Sequence, residues 1–244
     1  MHSHILPNVD DGASSLEDAL EMLQKAVNDG VTTQILTPHI HHPRYNNTRK
    51  SLELRFLEFC DLVMEAGIPI ELRLAAEIHV CHEIMQMVDN DGIPWLGECG
   101  GEKSFLLEFP QNTIPAGSEN LIKWLKKNQI LPVIAHPERN LIFQKHPDKM
   151  RFFFDYECPL QITASSLIGH FGKCAFKLAQ SLMKEGKVRV LATDCHNLSY
   201  RPPNLNQGFK VAARLVGEIL ATEMVTSNVL DLVGGYTHRL ATLS

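Results

Sequence analysis

The chain has 244 residues, 44% of them hydrophobic and 21% charged, with a formal net charge of −5. That length can bury a substantial core in one large α/β unit or two small ones, and the acidic balance argues against the basic stripe a nucleic-acid partner requires. No apolar run approaches the roughly 18 residues of a membrane span, no signal peptide is read at the start, and six cysteines stand singly without a Cys-x-x-Cys pair, so the expectation is a cytoplasmic protein without stable membrane insertion.

The chain opens on MHSHILPNVDDG. His2 and His4 are two apart, so in a strand both imidazoles face one side, and the acidic pair Asp10-Asp11 and Gly12 follow as a turn. Neutral imidazoles close to carboxylates suit Zn, Mn or Fe. Ser14 and Glu17 have capping-box spacing ahead of a stripe of Leu16, Leu20, Leu23 and Val27, which predicts a helix stopped by Gly30. VTTQILTPH reads as a buried strand closed by Pro38-His39. A helix is expected over about 48–66 with Gly67 behind it. Strand IELRLAAE (70–77) then ends in Glu77, a short helix lies near 81–89, and strand SFLLEF (104–109) carries Glu108. A helix over about 117–128 leads to strand ILPVIAH (130–136), which ends in His136. A helix over roughly 147–156, strand PLQITAS (159–165), a helix over about 171–186 and strand VRVLATD (188–194), ending in Asp194, follow in turn. The last forty residues read as helical, with Phe209, Ala212, Leu215, Ile219 and Leu220 on the apolar face.

Strand–helix alternation without a composition break implies one domain over residues 1–244 built on a parallel sheet, either open and doubly wound or closed as a barrel. Counting a short strand at the start, there are seven strand–helix units. The polar residues fall in a pattern. His39, Glu77, Glu108, His136 and Asp194 all stand at or just past the carboxyl end of a predicted strand, and in a parallel barrel those ends share the face that carries the active site. Glu77 and Glu108 end apolar runs, where a carboxylate is costly unless paired or bound to a metal. The donors are N and O with no thiolate, which fits an open catalytic site better than a structural zinc. They exceed the needs of one ion, so two or three metals sharing bridging carboxylates is the natural reading, and neighbouring metals can clamp both oxygens of a displacement at phosphorus.

Two arginines accompany the donors. Arg139 lies three residues after His136, and Arg201 follows Asp194 and His196 in NLSYRPP; guanidinium matches phosphate oxygens with two parallel donors. Cys195 and Arg201 also have the Cys-x5-Arg spacing of cysteine-dependent phosphatases. That chemistry needs a loop of backbone N–H groups opening a helix, and here HNLSY lacks glycine while Pro202-Pro203 opposes a helix. Cys195 is therefore read as packing behind the site.

HSHILPNVDDG, TPH, AAEI, LLEF, VIAHPER and DCHN…RPP together resemble, in order and spacing, the PHP (polymerase and histidinol phosphatase) superfamily. Within it they resemble the manganese-dependent protein-tyrosine phosphatases of bacterial capsular and exopolysaccharide operons, with the match running from residue 2 to about 203. The resemblance implies a distorted seven-stranded (β/α) barrel, TIM-like in plan, with three divalent ions: Mn first, with Fe or Zn as alternatives. It implies one ion on His2, His4, Glu77 and Asp194, a second on Glu77, Glu108 and His136, and a third on Asp11, His39 and His196. Arg139 and Arg201 would bind the phosphoryl group, and His39 and His196 belong with them to the catalytic set. The implied substrate is phosphotyrosine, on the tyrosine-rich tail of a bacterial tyrosine kinase that drives polysaccharide assembly, with attack by a metal-activated water.

Rival readings are a small-molecule phosphatase acting on histidinol phosphate or a sugar phosphate, a PHP-type nuclease, and a non-catalytic metal-binding relative. Asp10 is an alternative to Asp11, though register favours Asp11. His41 and His42 lie in a loop that could touch substrate; His79, His82, His146, His170 and His238 read as surface or packing residues. Tyr45, Arg44 and Phe171 are candidates for the pocket rim. With only Met1 ahead of His2, the first strand is barely present, and His2 and His4 are expected to be the least securely held ligands.

Overall fold

The computed structural model describes residues 1–234; His238 and the end of the segment read as helical lie outside them. Helix α1 (Leu16–Asn28) is capped one residue later than the spacing predicts. Ser15, not Ser14, accepts from the Asp18 N–H, while Ser14 spends its hydroxyl on the Asp18 carboxylate 2.6 Å away and Glu17 takes no part. An acidic first turn at Glu17 and Asp18 complements the helix dipole, and Ala19, Met22, Leu23 and Ala26 form its buried face.

The predicted strand 31–39 is two pieces, β1 (Thr33–Leu36) and β2 (His39–Ile40), divided at Pro38, which has no N–H to give a ladder. After α2 (Arg49–Glu65), the predicted strand 70–77 divides in the same way into β3 (Glu71–Leu74) and β4 (Glu77–His79) around Ala75-Ala76. The breaks lie side by side: β1 pairs with β3 and β2 with β4, both parallel, and the bonds Ala75 N–H to Leu36 O (2.8 Å) and Glu77 N–H to Pro38 O (3.2 Å) carry the pairing across the gap. The chain continues through α3 (Ile84–Asp89), β5 (Gly97–Cys99), β6 (Glu102–Glu108), α4 (Ser118–Lys127) and β7 (Ile130–Ala135). A short α5 (Leu141–Lys145), not expected from the sequence, comes next, and the helix expected over 147–156 is a 3-10 turn over Pro147–Met150 followed by α6 (Arg151–Asp155). Then come β8 (Leu160–Thr163), α7 (Gly172–Lys184), β9 (Val188–Ala192), α8 (Leu205–Val216), α9 (Glu218–Glu223) and α10 (Ser227–Val233).

The main sheet runs β2-β4-β6-β7-β8-β9, parallel throughout, with β5 added antiparallel to β6. Residues 2–4 fill the space between its ends. Ser3 bridges Cys195 in parallel fashion, His4 N–H donates to Cys195 O (2.9 Å), Asp194 N–H donates to His2 O (2.9 Å), and Thr37 N–H donates to Ser3 O (2.8 Å). The arrangement is a barrel with seven strand positions, the number the alternation predicts and the closed form the family resemblance implies.

Strand alternation sorts the core into two clusters. Leu36, Leu74, Phe105, Leu107, Ile134, Ile162 and Leu191 pack outward with the helices, while Ile35, Ala75, Leu106, Val133, Ala135, Val190 and Ala192 form a second, inner cluster. Leu232 and Val233 of α10 join the inner cluster, and Ser104 Oγ donates to Leu232 O at 2.6 Å, so α10 closes one end of the barrel. At the other end the inner face continues two residues on, from Leu106 to Glu108 and from Ala192 to Asp194. Among the described residues no helix is long and apolar enough to cross a membrane.

Candidate metal centre

The strand-end donors converge. His2 Nε2 and His4 Nε2 are 3.3 Å apart; each lies 3.2 Å from Glu77 Oε2, and they lie 3.2 and 3.3 Å from Asp194 Oδ1. Four donors about 2.1 Å from a common centre stand about 3.4 Å apart at tetrahedral angles, so this spacing fits a cation. His39 Nδ1 also lies 3.2 Å from Glu77 Oε2, and His136 Nε2 lies 2.8 Å from Glu77 Oε1 and 4.0 Å from Glu108 Oε1. On the other flank Asp11 Oδ1 is 3.5 Å from His39 Nε2 and 3.6 Å from His196 Nε2. Every residue expected as a metal ligand thus lies in one continuous cluster, with Glu77 at its middle.

The imidazoles are oriented from behind. Gln161 Oε1 sits 2.8 Å from His2 Nδ1, and Asp10 Oδ2 sits 2.7 Å from His4 Nδ1. With these acceptors each Nδ1 carries the proton, which leaves the Nε2 lone pair facing the centre, the arrangement metal-binding histidines adopt. His196 Nδ1 donates to Asp194 O at 3.1 Å to the same effect. Asp10 therefore differs from Asp11 in role: it also accepts from His39 N–H (2.9 Å) and Gly12 N–H (2.9 Å) and holds the turn against His4. Gly12 is required there, because a Cβ would lie 1.9 Å from His4 O. These bonds also correct the expectation that His2 and His4 are the least securely held ligands: both are fully buried, with each ring fixed by a polar partner and the backbone of residues 2–4 tied to Asp194, Cys195 and Thr37.

The electrostatics ask for positive charge. Burial alone would raise Glu77, but His2, His39 and His136 outweigh it and hold the carboxyl well below its usual range. Burial opposes the ionised form of Asp194 too, and Arg201, His2 and Arg139 hold it well below the usual range. Burial and the charge of Glu77 push Glu108 well above it. Burial lowers His39 to about 3 and, with Arg139, His136 to about 4, so both imidazoles are neutral donors at pH 7. His4 is raised despite its burial, chiefly by Asp10, the response expected where carboxylates outnumber cations. Glu77 Oε2, Asp194 Oδ1, His39 Nδ1 and His196 Nε2 are buried without a hydrogen-bond partner. Orphaned buried polar atoms of this kind cost free energy, and cations held by the neighbouring donor groups would satisfy them. The residues fit divalent metal.

Backbone strain marks the same place. His136 (φ 32°) and Asp194 (φ 50°) both lie in the left-handed region just past a strand, a conformation that non-glycine residues hold at some cost.

Both arginines reach the centre through Asp194, whose Oδ2 accepts from Arg139 Nη1 and Arg201 Nη2. Arg201 comes from a loop tightened by Asn197 Oδ1, which accepts the N–H of Tyr200 (2.7 Å) and of Arg201 (3.0 Å). Under both guanidinium groups lies Phe171, whose ring centroid is 4.6 Å from Arg139 Cζ and 5.9 Å from Arg201 Cζ. A cavity of about 320 Å³ opens over the centre, lined in part by Asp11, His39, Glu108, His136, Arg139 and Arg201, with half-buried His41 and His79 and buried Phe109 also in its wall.

Of the remaining residues, Tyr45 stacks on His39 with ring planes 4° apart, and Arg44 is largely exposed, 3.7 Å from Asp11 Oδ2. Cys195 is fully buried and its thiol is pushed up by that burial. His42, His82, His146 and His170 are exposed. Spacing alone did not single out Gln161, the brace behind His2, or His79, which stands at the rim two residues after Glu77.

Comparison with known proteins agrees with this geometry. A family model described as capsular polysaccharide synthesis, CpsB/CapC, matches residues 1–234. The CapC protein of Staphylococcus aureus is 32% identical over 209 residues, covering 86% of this chain and 81% of its own length. The tyrosine-protein phosphatase YwqE of Bacillus subtilis is 30% identical over 237 residues, covering 97% and 92%. A solved structure described as belonging to YwqE from Bacillus subtilis and CpsB from Streptococcus pneumoniae, unique metal-dependent tyrosine phosphatases, superposes with a TM-score of 0.87 at 29% identity over 95% of this chain and 92% of that one.

Proposed function

This chain belongs to the CpsB/CapC family of capsular polysaccharide synthesis, and we propose on that premise that it is a metal-dependent phosphatase hydrolysing phosphotyrosine on proteins. The observation that carries the reading is the double use of Asp194. Its Oδ1 faces His2 and His4 at 3.2 and 3.3 Å, while its Oδ2 holds Arg139 and Arg201. One carboxylate therefore couples the donors that would hold metal to the two guanidinium groups that would hold a phosphoryl group.

Divalent ions on these donors would supply Lewis-acid stabilisation of phosphoryl oxygens and a nucleophilic water at neutral pH. The chain's own residues do the rest. Gln161 and Asp10 keep His2 and His4 in the tautomer that presents Nε2. Arg139 and Arg201 offer paired N–H donors to the non-bridging oxygens, where charge builds up in the transition state. Phe171 lies against both guanidinium groups, and half-buried His41 and His79 line the cavity that an aryl ring would enter. A phenol with a pKa of about 10 leaves more readily than an alcohol, so the site needs little help at the leaving oxygen.

The finer reading is three ions, on His2/His4/Glu77/Asp194, on Glu77/Glu108/His136 and on Asp11/His39/His196, with Mn preferred. The substrate is the tyrosine-rich tail of a bacterial tyrosine kinase that drives polysaccharide assembly, met in the cytoplasm by a single phosphatase domain. The names of the relatives support phosphotyrosine, and the donor set of N and O without thiolate supports Mn, Fe or Zn. Replacing His136 or Glu108 by Ala is expected to reduce hydrolysis of an aryl phosphate to background. Wild-type turnover in both variants would contradict the reading.

A further inference from the structure

Two metal-type side chains, His41 and His79, are left over by the reading above, and they stand beside Glu108, which that reading already uses. In the sheet His39 pairs with Glu77, Ile40 with Ile78, and His79 with Glu108. One step beyond the Ile40–Ile78 pair, His41 comes level with His79. Because side chains alternate, His41, His79 and Glu108 lie on the same face as His39, Glu77 and Leu106, one layer further toward the mouth. The rings of His41 and His79 stack with centroids 3.8 Å apart and planes 4° from parallel, so one ring must turn out of the stack for both to point a nitrogen at one ion. Their nitrogens and a Glu108 carboxylate oxygen all lie within 4.8 Å of one another. Neither imidazole has a hydrogen-bonded side-chain partner among the described residues, and all three residues are half-buried and line the cavity.

Glu108 is also the most loosely held of the strand-end carboxylates, 3.8 Å from His39 Nδ1 and 4.0 Å from His136 Nε2. Both distances exceed a hydrogen bond, so Glu108 can turn one oxygen to the rim and give up only one of these two long contacts. Two imidazoles and one carboxylate with open positions form a donor set that suits borderline divalent ions and leaves room for water or another ligand.

We propose that His41, His79 and Glu108 form an outer site for a borderline divalent cation of the Zn2+ class, at the mouth of the cavity and additional to the inner donor clusters. An ion there stands between solvent and the inner centre and draws Glu108 outward, so it inhibits any reaction that depends on the inner site. Binding itself does not depend on phosphotyrosine being the substrate.

The test is a Zn2+ soak of crystals of the manganese-loaded protein, with anomalous data collected on both sides of the zinc edge. The expected result is a zinc peak about 2.0–2.1 Å from a nitrogen of each histidine, missing in H41N/H79N crystals that keep their inner metal. If the double variant loses inner metal, H41N and H79N singly serve the same comparison. In solution the midpoint for zinc inhibition of aryl phosphate hydrolysis is expected to rise at least about tenfold in the variant, equivalent to about 1.4 kcal/mol. No zinc peak between the two histidines, or zinc only at the inner donors, would overturn the proposal. If the protein proves inactive on aryl phosphates, the anomalous peak still decides the matter, so the two readings fail separately.

Discussion

At the scale of the residue, most of the centre was legible because parallel strands end where chemistry is done. His39, Glu77, Glu108, His136 and Asp194 stand out as polar residues closing apolar runs, and all five line one cluster. What the sequence hid were residues whose role depends on a partner far along the chain. Gln161 reads as an ordinary strand residue until it is seen 2.8 Å from His2 Nδ1, and Asp10 looks interchangeable with Asp11 until its bonds to His4, His39 and Gly12 are drawn. Phe171 was legible only as a rim residue. Its ring faces two guanidinium groups, and cation–π contacts of about 0.5–1 kcal/mol each predict that Phe171→Leu raises KM for an aryl phosphate about tenfold. Phe171→Tyr is expected to restore the wild-type value, and steady-state kinetics on the three proteins checks both. Cys195, by contrast, contributes a buried thiol and a backbone bridge. Cys195→Ser is expected to keep its metal content and most of its activity, and a dead variant with full metal content would restore the thiol to the mechanism.

At the scale of the element, the departures from expectation have local causes. Pro38 interrupts one strand and Ala75-Ala76 the neighbouring one at the same level, which displaces the upper pieces and carries His39 and Glu77 to the mouth. Pro147 opens a 3-10 turn where a longer helix was expected, and capping moves from Ser14 to Ser15 because the Asp18 N–H is the one within reach. The 3-10 turn that holds Pro137–Arg139 is tied to β8 by Glu138, which is fully buried and accepts from Ser166 Oγ (2.6 Å) and Thr163 N–H (3.0 Å). Burial raises its carboxyl from 4.5 to about 6. A folded-state value above the unfolded one means that this group's contribution to stability is full below pH 4.5 and is lost as pH rises through 6. The loss is about 2 kcal/mol at 1.36 kcal/mol per pH unit. Glu138→Gln cannot ionise, so denaturant unfolding is expected to show its stability gaining about 2 kcal/mol relative to wild type between pH 4.5 and 7.5. A pH-independent difference would place the proton elsewhere.

At the scale of the whole molecule, strand–helix alternation implied a parallel sheet, open or closed, and it was the family resemblance that implied the barrel. Residues 2–4 read as a short first strand that is barely present, and their backbone joins Asp194 and Cys195, just past β9, to Thr37 between β1 and β2, which brings two fully buried histidines to the centre. Closing the barrel and gathering the donors therefore rest on the same short segment. The most direct measurement is turnover of a phosphotyrosine peptide by chelator-stripped protein, with and without added Mn2+. Activity absent after stripping and restored by Mn2+, in a protein that stays folded throughout, is the expected result. Full turnover by the stripped protein, or no turnover with any divalent ion, would contradict a metal centre that acts on phosphotyrosine.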